Sequence, residues 1–248
     1  MNEEKLTTLE NANPNAVLTV EEEVPETKKR KVRYTFDMQF SRVRSAIELS
    51  INDETLKLAA AEFGYTAEKV AGLKTLFDET DAFYEAQKIA LAKQLAATRD
   101  FETKREAADR MLQHYIDTAR LAFKNVPNAY DDLGIRGKRK RAFGEWAAQG
   151  KYFFNRILLP EYASVMANYQ VSQSDLEAGQ RAVFDTIDAE TAGENAKAEA
   201  QKATELKTNS WNRLKIAMRK YLNVMKEALE DDPQMKEKLG IVTPIVIQ

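Results

Sequence analysis

The tripeptide Leu-Gly-Ile occurs twice in the sequence, at 133–135 and 239–241, so its two copies lie 106 residues apart. We call this separation the repeat spacing. Tyr115 and Tyr221, and Pro127 and Pro233, recur at the repeat spacing. Met111 and Met218, Gly72 and Gly179, and Phe77-Asp78 and Phe184-Asp185 recur one position further apart. A spacing that recurs along a chain indicates a repeated structural unit. Chance is the alternative, because the identities are sparse. We predict a tandem duplication with its junction at residues 133–141.

The composition predicts helix almost throughout the chain. Only 9 Gly and 6 Pro occur among 248 residues, and 44% of the residues are hydrophobic. Good helix formers dominate the remainder. We therefore predict an all-α fold, in which a duplicated helical unit packs as an elongated antiparallel bundle with extended N- and C-terminal arms. The predicted parts are an N-terminal arm, two helical units and an apolar C-terminal tail, with bounds 1–33, 34–136, 137–241 and 242–248.

In the first unit, apolar residues at spacings of three and four predict a helix that starts near Thr35. Asn52-Asp53 is expected to interrupt this pattern, and Gly64 to end it. Thr66 is the candidate N-cap of a second helix, which we expect to end near residue 98. A third helix is predicted from about 101 to 125, where Val126-Pro127 stops it.

The second unit is expected to repeat this order. Gly150 and Pro160 are predicted to break its first apolar pattern into shorter pieces, and Ser172 or Ser174 to cap the next helix. That helix is expected to bury four residues: Leu176, Val183, Phe184 and Ile187. Its Ala-rich part, 189–203, either projects beyond the bundle or makes contacts through alanine. A last helix is predicted at about 209–230, so that each unit holds two long antiparallel helices.

Residues suited to catalysis or cofactor binding are scarce. The chain has no Cys and one His, His114, which the pattern places on the polar face of a helix. No glycine-rich phosphate-binding motif occurs. The acid pairs Asp131-Asp132 and Asp231-Asp232 are more typical of helix ends than of a metal site. We therefore predict a protein that is not an enzyme and has neither a cofactor nor a bound metal.

Two basic runs each precede an aromatic helix start. They consist of Lys28, Lys29, Arg30, Lys31 and Arg33, and of Lys138, Arg139, Lys140 and Arg141. Such clusters are typical of anion or nucleic-acid sites. However, the net charge of the whole chain is −2, and acids of this chain or of another copy could pair with both runs. Both interpretations stay open at this stage.

Both chain ends carry apolar residues that suit contacts with another molecule. The N-terminal set is Val17, Leu18 and Val20, and the C-terminal set is Ile241, Val242, Ile245, Val246 and Ile247. The N-terminal arm could be solvated, and the tail could pack on its own bundle. Alternatively, either arm could dock on a second copy, as an added strand or in a groove.

The leading functional hypothesis is a non-enzymatic structural protein, a self-associating subunit of a bacterial-type filament or other ordered assembly held by its terminal arms. The alternative is a nucleic-acid-associated helical protein that uses the two basic runs. No apolar run approaches the ~20 residues of a membrane helix, so no membrane partner is expected. The polar start of the chain and its lack of Cys predict a cytoplasmic protein.

Overall fold

The computed structural model describes residues 35–241, which form eight α-helices and no strand within that range. In chain order these are α1 (Phe36–Asn52), α2 (Glu54–Glu62), α3 (Ala67–Ala122), α4 (Pro127–Asp132), α5 (Phe143–Ile157), α6 (Pro160–Ala167), α7 (Gln173–Ala228) and α8 (Pro233–Lys238). The predicted all-α class is confirmed. The terminal arm segments lie outside the described residues.

The two longest helices, α3 and α7, have 56 residues each, or about 84 Å at 1.5 Å per residue. They run antiparallel, because Thr80 Oγ1 lies 2.8 Å from Ser210 Oγ while Gln87 Nε2 donates to Thr204 Oγ1 over 2.9 Å. The prediction of two long helices within each unit was wrong. Each half supplies one, and its antiparallel partner comes from the other half.

The expected breaks near residues 98–101 and 203–209 do not occur, because neither stretch contains Gly or Pro. The polar stretch at 98–104 continues α3, and Lys104 pairs with Asp100 one turn earlier at 2.7 Å. Small side chains of α7 lie against α3 in the part of the bundle between the two ends. Ala200 is 2% exposed there. Residues 189–203 therefore make contacts through alanine and do not project beyond the bundle.

One end of the helix pair carries a lobe built from α1, α2, the start of α3, the end of α7 and α8. We call it the terminal lobe, because both Thr35 and Ile241 belong to it. Its buried core combines residues of both halves of the chain. The core consists of Phe40, Ala46, Ile47, Leu56, Ala60, Val70, Leu73, Phe77, Trp211, Leu214, Met218, Tyr221, Met225, Leu229 and Leu239.

The opposite end carries the connector lobe, built from the end of α3, α4, α5, α6 and the start of α7. We name it for residues 136–142, the connector, which joins α4 to α5. Trp146, Phe153, Phe154 and Ile157 of α5 are deeply buried in it, each at most 1% exposed. They pack against α3 residues such as Leu112, and against Leu176 and Val183 of α7.

The helix order of residues 36–132 recurs in residues 143–238, and the starts of α2, α3 and α4 precede those of α6, α7 and α8 by the repeat spacing. Burial follows the same spacing. Tyr115 and Tyr221 are both buried, and Thr80 and Thr186 are fully buried and donate to the carbonyl four positions earlier. The identities that lie one position further apart do not follow burial. Phe77 is 4% exposed, whereas Phe184 is 40% exposed, so the expectation that Phe184 is buried was wrong.

Local signals set most helix boundaries as expected. Asp53 separates α1 from α2, and its carboxylate accepts from the Thr55 amide at 2.9 Å. Gly64 follows the end of α2 with φ 77°, in the left-handed region that glycine adopts most easily. Ser172 caps α7 in a reciprocal capping box with Asp175. Thr66 occupies the N-cap of α3 without a side-chain capping bond.

The two residues predicted to break the second unit's first helix have different roles. Pro160 begins α6, where proline needs no helical N–H partner. Gly150, by contrast, lies buried inside α5 and does not break it. A Cβ at this position would stand 3.1 Å from a methyl group of Val183, so the glycine permits close approach of α5 and α7.

Two helical glycines are expected to respond oppositely to alanine. In Gly179→Ala, the new Cβ would stand 2.6 Å from Phe154 Cζ and 2.7 Å from Tyr115 Cε2, both rings being buried. We expect a net destabilisation of about 1–2 kcal/mol. A Cβ added at Gly72 would meet no atom within 4 Å, so Gly72→Ala should stabilise by about 0.5–1 kcal/mol. Urea denaturation measures both, and equal effects would contradict the packing around Gly179.

Candidate anion-binding surface

The C-terminal half of α7 carries a stretch of one charge sign. Between Glu205 and Glu227 the chain contains no acid and six cations: Lys207, Arg213, Lys215, Arg219, Lys220 and Lys226. The apolar residues of the same stretch, including Trp211, Leu214 and Met218, face the core of the terminal lobe. The helix therefore turns its cations to the surface. This group of surface cations was not predicted, because its members alternate with core residues along the sequence. The absence of acids between Glu205 and Glu227 is the sequence signal that could have shown it.

Two of these cations have partners on a neighbouring helix of the terminal lobe. Arg213 pairs with Glu79 of α3 at 3.1 Å. The Lys207 ammonium lies 4.2 Å from the ring centroid of Phe36, a cation–π contact. Both interactions hold α7 against the helices beside it, so these two cations have structural roles.

Three further cations follow one side of α7. We call Lys215, Arg219 and Lys226 the α7 strip; their spacings of four and seven positions bring them within about 40° of one another around the helix. All three are exposed. Lys215 lies 5.7 Å from the Trp211 ring centroid. Within residues 35–241, no acid forms a salt bridge with any residue of the strip. Such a cluster favours a negatively charged partner.

The equivalent side of α3, one repeat spacing earlier, has different chemistry and is covered by the connector. Its positions are Asp109, Gln113 and Arg120. Arg139 of the connector donates to both Asp109 and Gln113. Arg120 donates to the carbonyls of Ile135 and Gly137 at 3.0 and 2.9 Å. A segment of chain thus lies along this side of α3, held by the Arg139–Asp109 ion pair and by the bonds from Arg120 to backbone carbonyls.

The second predicted basic run belongs to this connector, and acids of the chain partly neutralise it. Arg139 pairs with Asp109, which also accepts from Trp146 Nε1 at 2.9 Å. Lys140 lies 3.8 Å from Glu145. The side chains of Lys138 and Arg141 are exposed and form no salt bridge with the described residues. Of the two interpretations, pairing with protein acids thus applies to half of this run.

The remaining predicted site residues fall into two groups, those outside residues 35–241 and one within them. The first basic run (Lys28, Lys29, Arg30, Lys31, Arg33) and the arm residues Val17, Leu18, Val20, Val242, Ile245, Val246 and Ile247 lie outside residues 35–241. Ile241 lies inside. Its amide donates to the Lys236 carbonyl at 2.9 Å, and its side chain packs against the core of the terminal lobe. Ile241 therefore contacts its own bundle.

His114 is exposed on α3, with its ring 5.3 Å from that of Tyr115. No group of three His, Asp or Glu side chains within residues 35–241 is arranged to hold a metal ion. Asp131 pairs with Arg136 at 2.6 Å, and Asp232 caps α8 by accepting from the Met235 amide at 3.0 Å.

Hydrogen bonds and burial move the pKa of several side chains further from 7. The hydrogen bond to Asp37 raises the pKa of Tyr84, and the bond to Asp132 raises the pKa of Tyr162. Burial raises the pKa of Tyr221. Hydrogen bonds from Ser172 lower the pKa of Asp175. At neutral pH these shifts leave the tyrosines protonated and the aspartate ionised, as they are ordinarily.

An apolar pocket of about 640 Å³ opens between α1, α2 and the start of α3. Val70 and Leu58 are among its lining residues, and two lysines also line it. Both lysines are neutralised locally, Lys57 by Glu54 at 2.6 Å and Lys74 by Asp78 at 2.5 Å. Charge therefore distinguishes the α7 strip from this pocket as the place where an anionic partner would bind.

Comparison with known proteins gives no match to a protein family, a curated protein sequence or a solved structure. Within residues 35–241, no helix combines the length and the apolar character that crossing a membrane requires. The function is therefore inferred from the geometry of this chain.

Proposed function

We propose that this chain is a non-enzymatic structural protein that associates with copies of itself into a filament or other ordered assembly. One observation carries the proposal: Thr35 and Ile241 both belong to the terminal lobe of an elongated two-lobed molecule. Residues 1–34 and 242–248 therefore both connect to the terminal lobe. Contacts made by these arms are directional with respect to the long axis.

The architecture arises, on this proposal, from tandem duplication of one helical unit. Three features support it: the repeated helix order, the repeat spacing between equivalent helix starts, and buried tyrosines and threonines at equivalent positions. Because each lobe takes helices from both units, a single ancestral unit would have needed a second copy to complete its core. Self-association would then be an old property of the unit.

The arms would supply the contacts between copies. The apolar residues of both arms would dock on the connector lobe of the next molecule: Val17, Leu18 and Val20 of one arm, and Val242, Ile245, Val246 and Ile247 of the other. Such a contact joins two different surfaces, so it propagates as an open filament unless the rotation closes a ring. Ile241 would anchor the start of the tail on its own lobe, as its packing supports. The proposed location is the cytoplasm, with which a chain without Cys is compatible.

Two truncations test this proposal. The full chain, a chain lacking residues 1–33 and a chain lacking residues 242–248 are compared by light scattering and negative-stain microscopy. We expect the full chain to form filaments or rings, and each truncation to reduce assembly while helix content by circular dichroism stays unchanged. A full chain that remains a single copy at all concentrations would exclude the proposal, and unchanged assembly of both truncations would exclude the arms.

A second candidate function, association with nucleic acid, is favoured by the acid-free stretch of α7. Lys215, Arg219 and Lys226 could contact backbone phosphates together with the first basic run, which precedes α1. Binding of a 20-base-pair DNA duplex across a salt series tests it. Each phosphate contact adds roughly 0.9 to the salt slope, so K215Q/R219Q/K226Q should lower the slope by about 2–3. A flat salt response would exclude this function.

A further inference from the structure

The two lobes differ in what lies along the equivalent sides of the long helices. In the connector lobe, the connector follows Arg105, Asp109, Gln113 and Arg120 of α3. The Arg105 guanidinium there donates to the Arg141 carbonyl at 2.8 Å. In the terminal lobe, the corresponding positions on α7 are Trp211 and the α7 strip. The connector occupies this side of α3. Among residues 35–241, no segment occupies the equivalent side of α7, so the fold has room for one along the strip.

Side-chain charge distinguishes the segments that could lie there. The connector is basic and meets Asp109 and Gln113, but the same positions on α7 are Lys215 and Arg219. A basic segment would be repelled from the strip, which disfavours the first basic run. Residues 242–248 carry no charged side chain. Residues 21–26 carry four glutamates, Glu21, Glu22, Glu23 and Glu26, and form the densest acidic segment outside residues 35–241.

Chain length permits this contact within one molecule. The Phe36 and Trp211 ring centroids lie 5.1 Å apart, so α1 begins beside the first turns of the acid-free stretch. From Trp211 to Lys226 the helix rises about 22 Å. The chain between Glu26 and Phe36, about ten residues long, spans up to roughly 35 Å when extended. The acidic segment can therefore reach every residue of the α7 strip.

We propose that residues 21–26 dock on the α7 strip of their own molecule, with their glutamates paired to Lys215, Arg219 and Lys226. The docked segment would occupy in the terminal lobe the place that the connector occupies in the other lobe. It also directs residues 17–20 toward the outer end of the terminal lobe. The contact lies within one copy and does not depend on the proposed assembly.

Carbodiimide cross-linking of the full chain tests the docking directly, because the reagent joins a carboxylate to a lysine amine only when the two are in contact. The reaction is run at a dilution where light scattering gives a single copy, and the linked peptides are identified by mass spectrometry. We expect residues 21–26 to be linked to Lys215 and Lys226. Raising the salt to about 0.5 M should lower the yield, since the contact is exposed and ionic.

Two arginine variants provide a matched control. Arg219→Gln keeps both reactive amines but removes the central cation of the strip, so the yield of these links should fall about two- to five-fold, as for an exposed ion pair. Arg213→Gln removes one charge from the same helix, on the side paired with Glu79. It should leave the yield unchanged. Equal yields in the two variants would contradict docking on the strip.

Other linkage patterns would also overturn the inference. Links from residues 21–26 only to Lys28, Lys29 or Lys31 would show that the arm pairs with itself. Links spread evenly over lysines of the connector lobe, such as Lys151, would show nonspecific contact. Absence of the links, together with protection of Lys215 and Lys226 by a 20-base-pair DNA duplex, would assign the strip to nucleic acid. Because the cross-link is measured on single copies, its loss and a loss of assembly are separate results.

Discussion

Residues 34–136 and 137–248, produced as separate chains, are each expected to lack a cooperative unfolding transition, and an equimolar mixture is expected to regain it. The reason is that neither half contains a complete core. Leu112, Tyr115 and Ile116 of the first half pack with Phe154 and Val183 of the second. Separated, each half would expose both of its partial cores to water, at roughly 25 cal/mol per Å² of apolar surface.

Thermal melting followed by circular dichroism measures this effect, with light scattering to count the chains. The uncut protein is the control for cooperativity. A half that melts cooperatively as a pair of copies would still agree with cores shared between two chains, since the lobes have equivalent helices. A half that melts cooperatively as a single chain would contradict the mixed cores.

Phe154→Ala is expected to destabilise the connector lobe by about 3–5 kcal/mol, the usual cost of removing a buried phenylalanine ring. Phe154 is 0% exposed. Its ring lies 5.2 Å from that of Phe153 and 5.9 Å from that of Tyr115. Because packed helices surround the ring, the cavity cannot close fully. Urea denaturation of the full chain measures the loss.

Phe184→Ala is the matched control for the truncation of Phe154. Phe184 is 40% exposed on α7, where its ring receives the Lys151 ammonium at 5.4 Å. We expect this substitution to cost less than about 1 kcal/mol. Similar losses for the two variants would mean that the burial of these rings has been assigned incorrectly.

Much of the secondary structure was predictable, because its signals are local. The start of α1 at Phe36, the interruption at Asp53 and the caps at Thr66 and Ser172 agree with the sequence. The Ser172 hydroxyl accepts from the Asp175 amide within its own turn, so its effect does not depend on distant packing. The break expected at residues 98–101 was wrong, because this stretch contains no helix breaker.

The candidate site was less predictable, for a different reason. The connector run at 138–141 was visible as contiguous charge, but its pairing with Asp109 required α3 to lie beside it. The α7 strip was not predicted, because its cations are four and seven positions apart and do not form a contiguous run. The helical spacing of Trp211, Leu214 and Met218 already indicates the buried side of α7, and their packing into the core confirms it.

The sequence by itself determined that this chain is helical, where most of its helices begin, and that equivalent features recur at one fixed spacing. These properties follow from backbone preferences and apolar periodicity, which act over a few neighbouring positions. Tertiary structure alone decided that α3 pairs with α7 across the two halves, and that each lobe is completed by both. A long amphipathic helix can bury its apolar side by folding back or by meeting another helix, and this choice depends on the total surface buried by the whole chain.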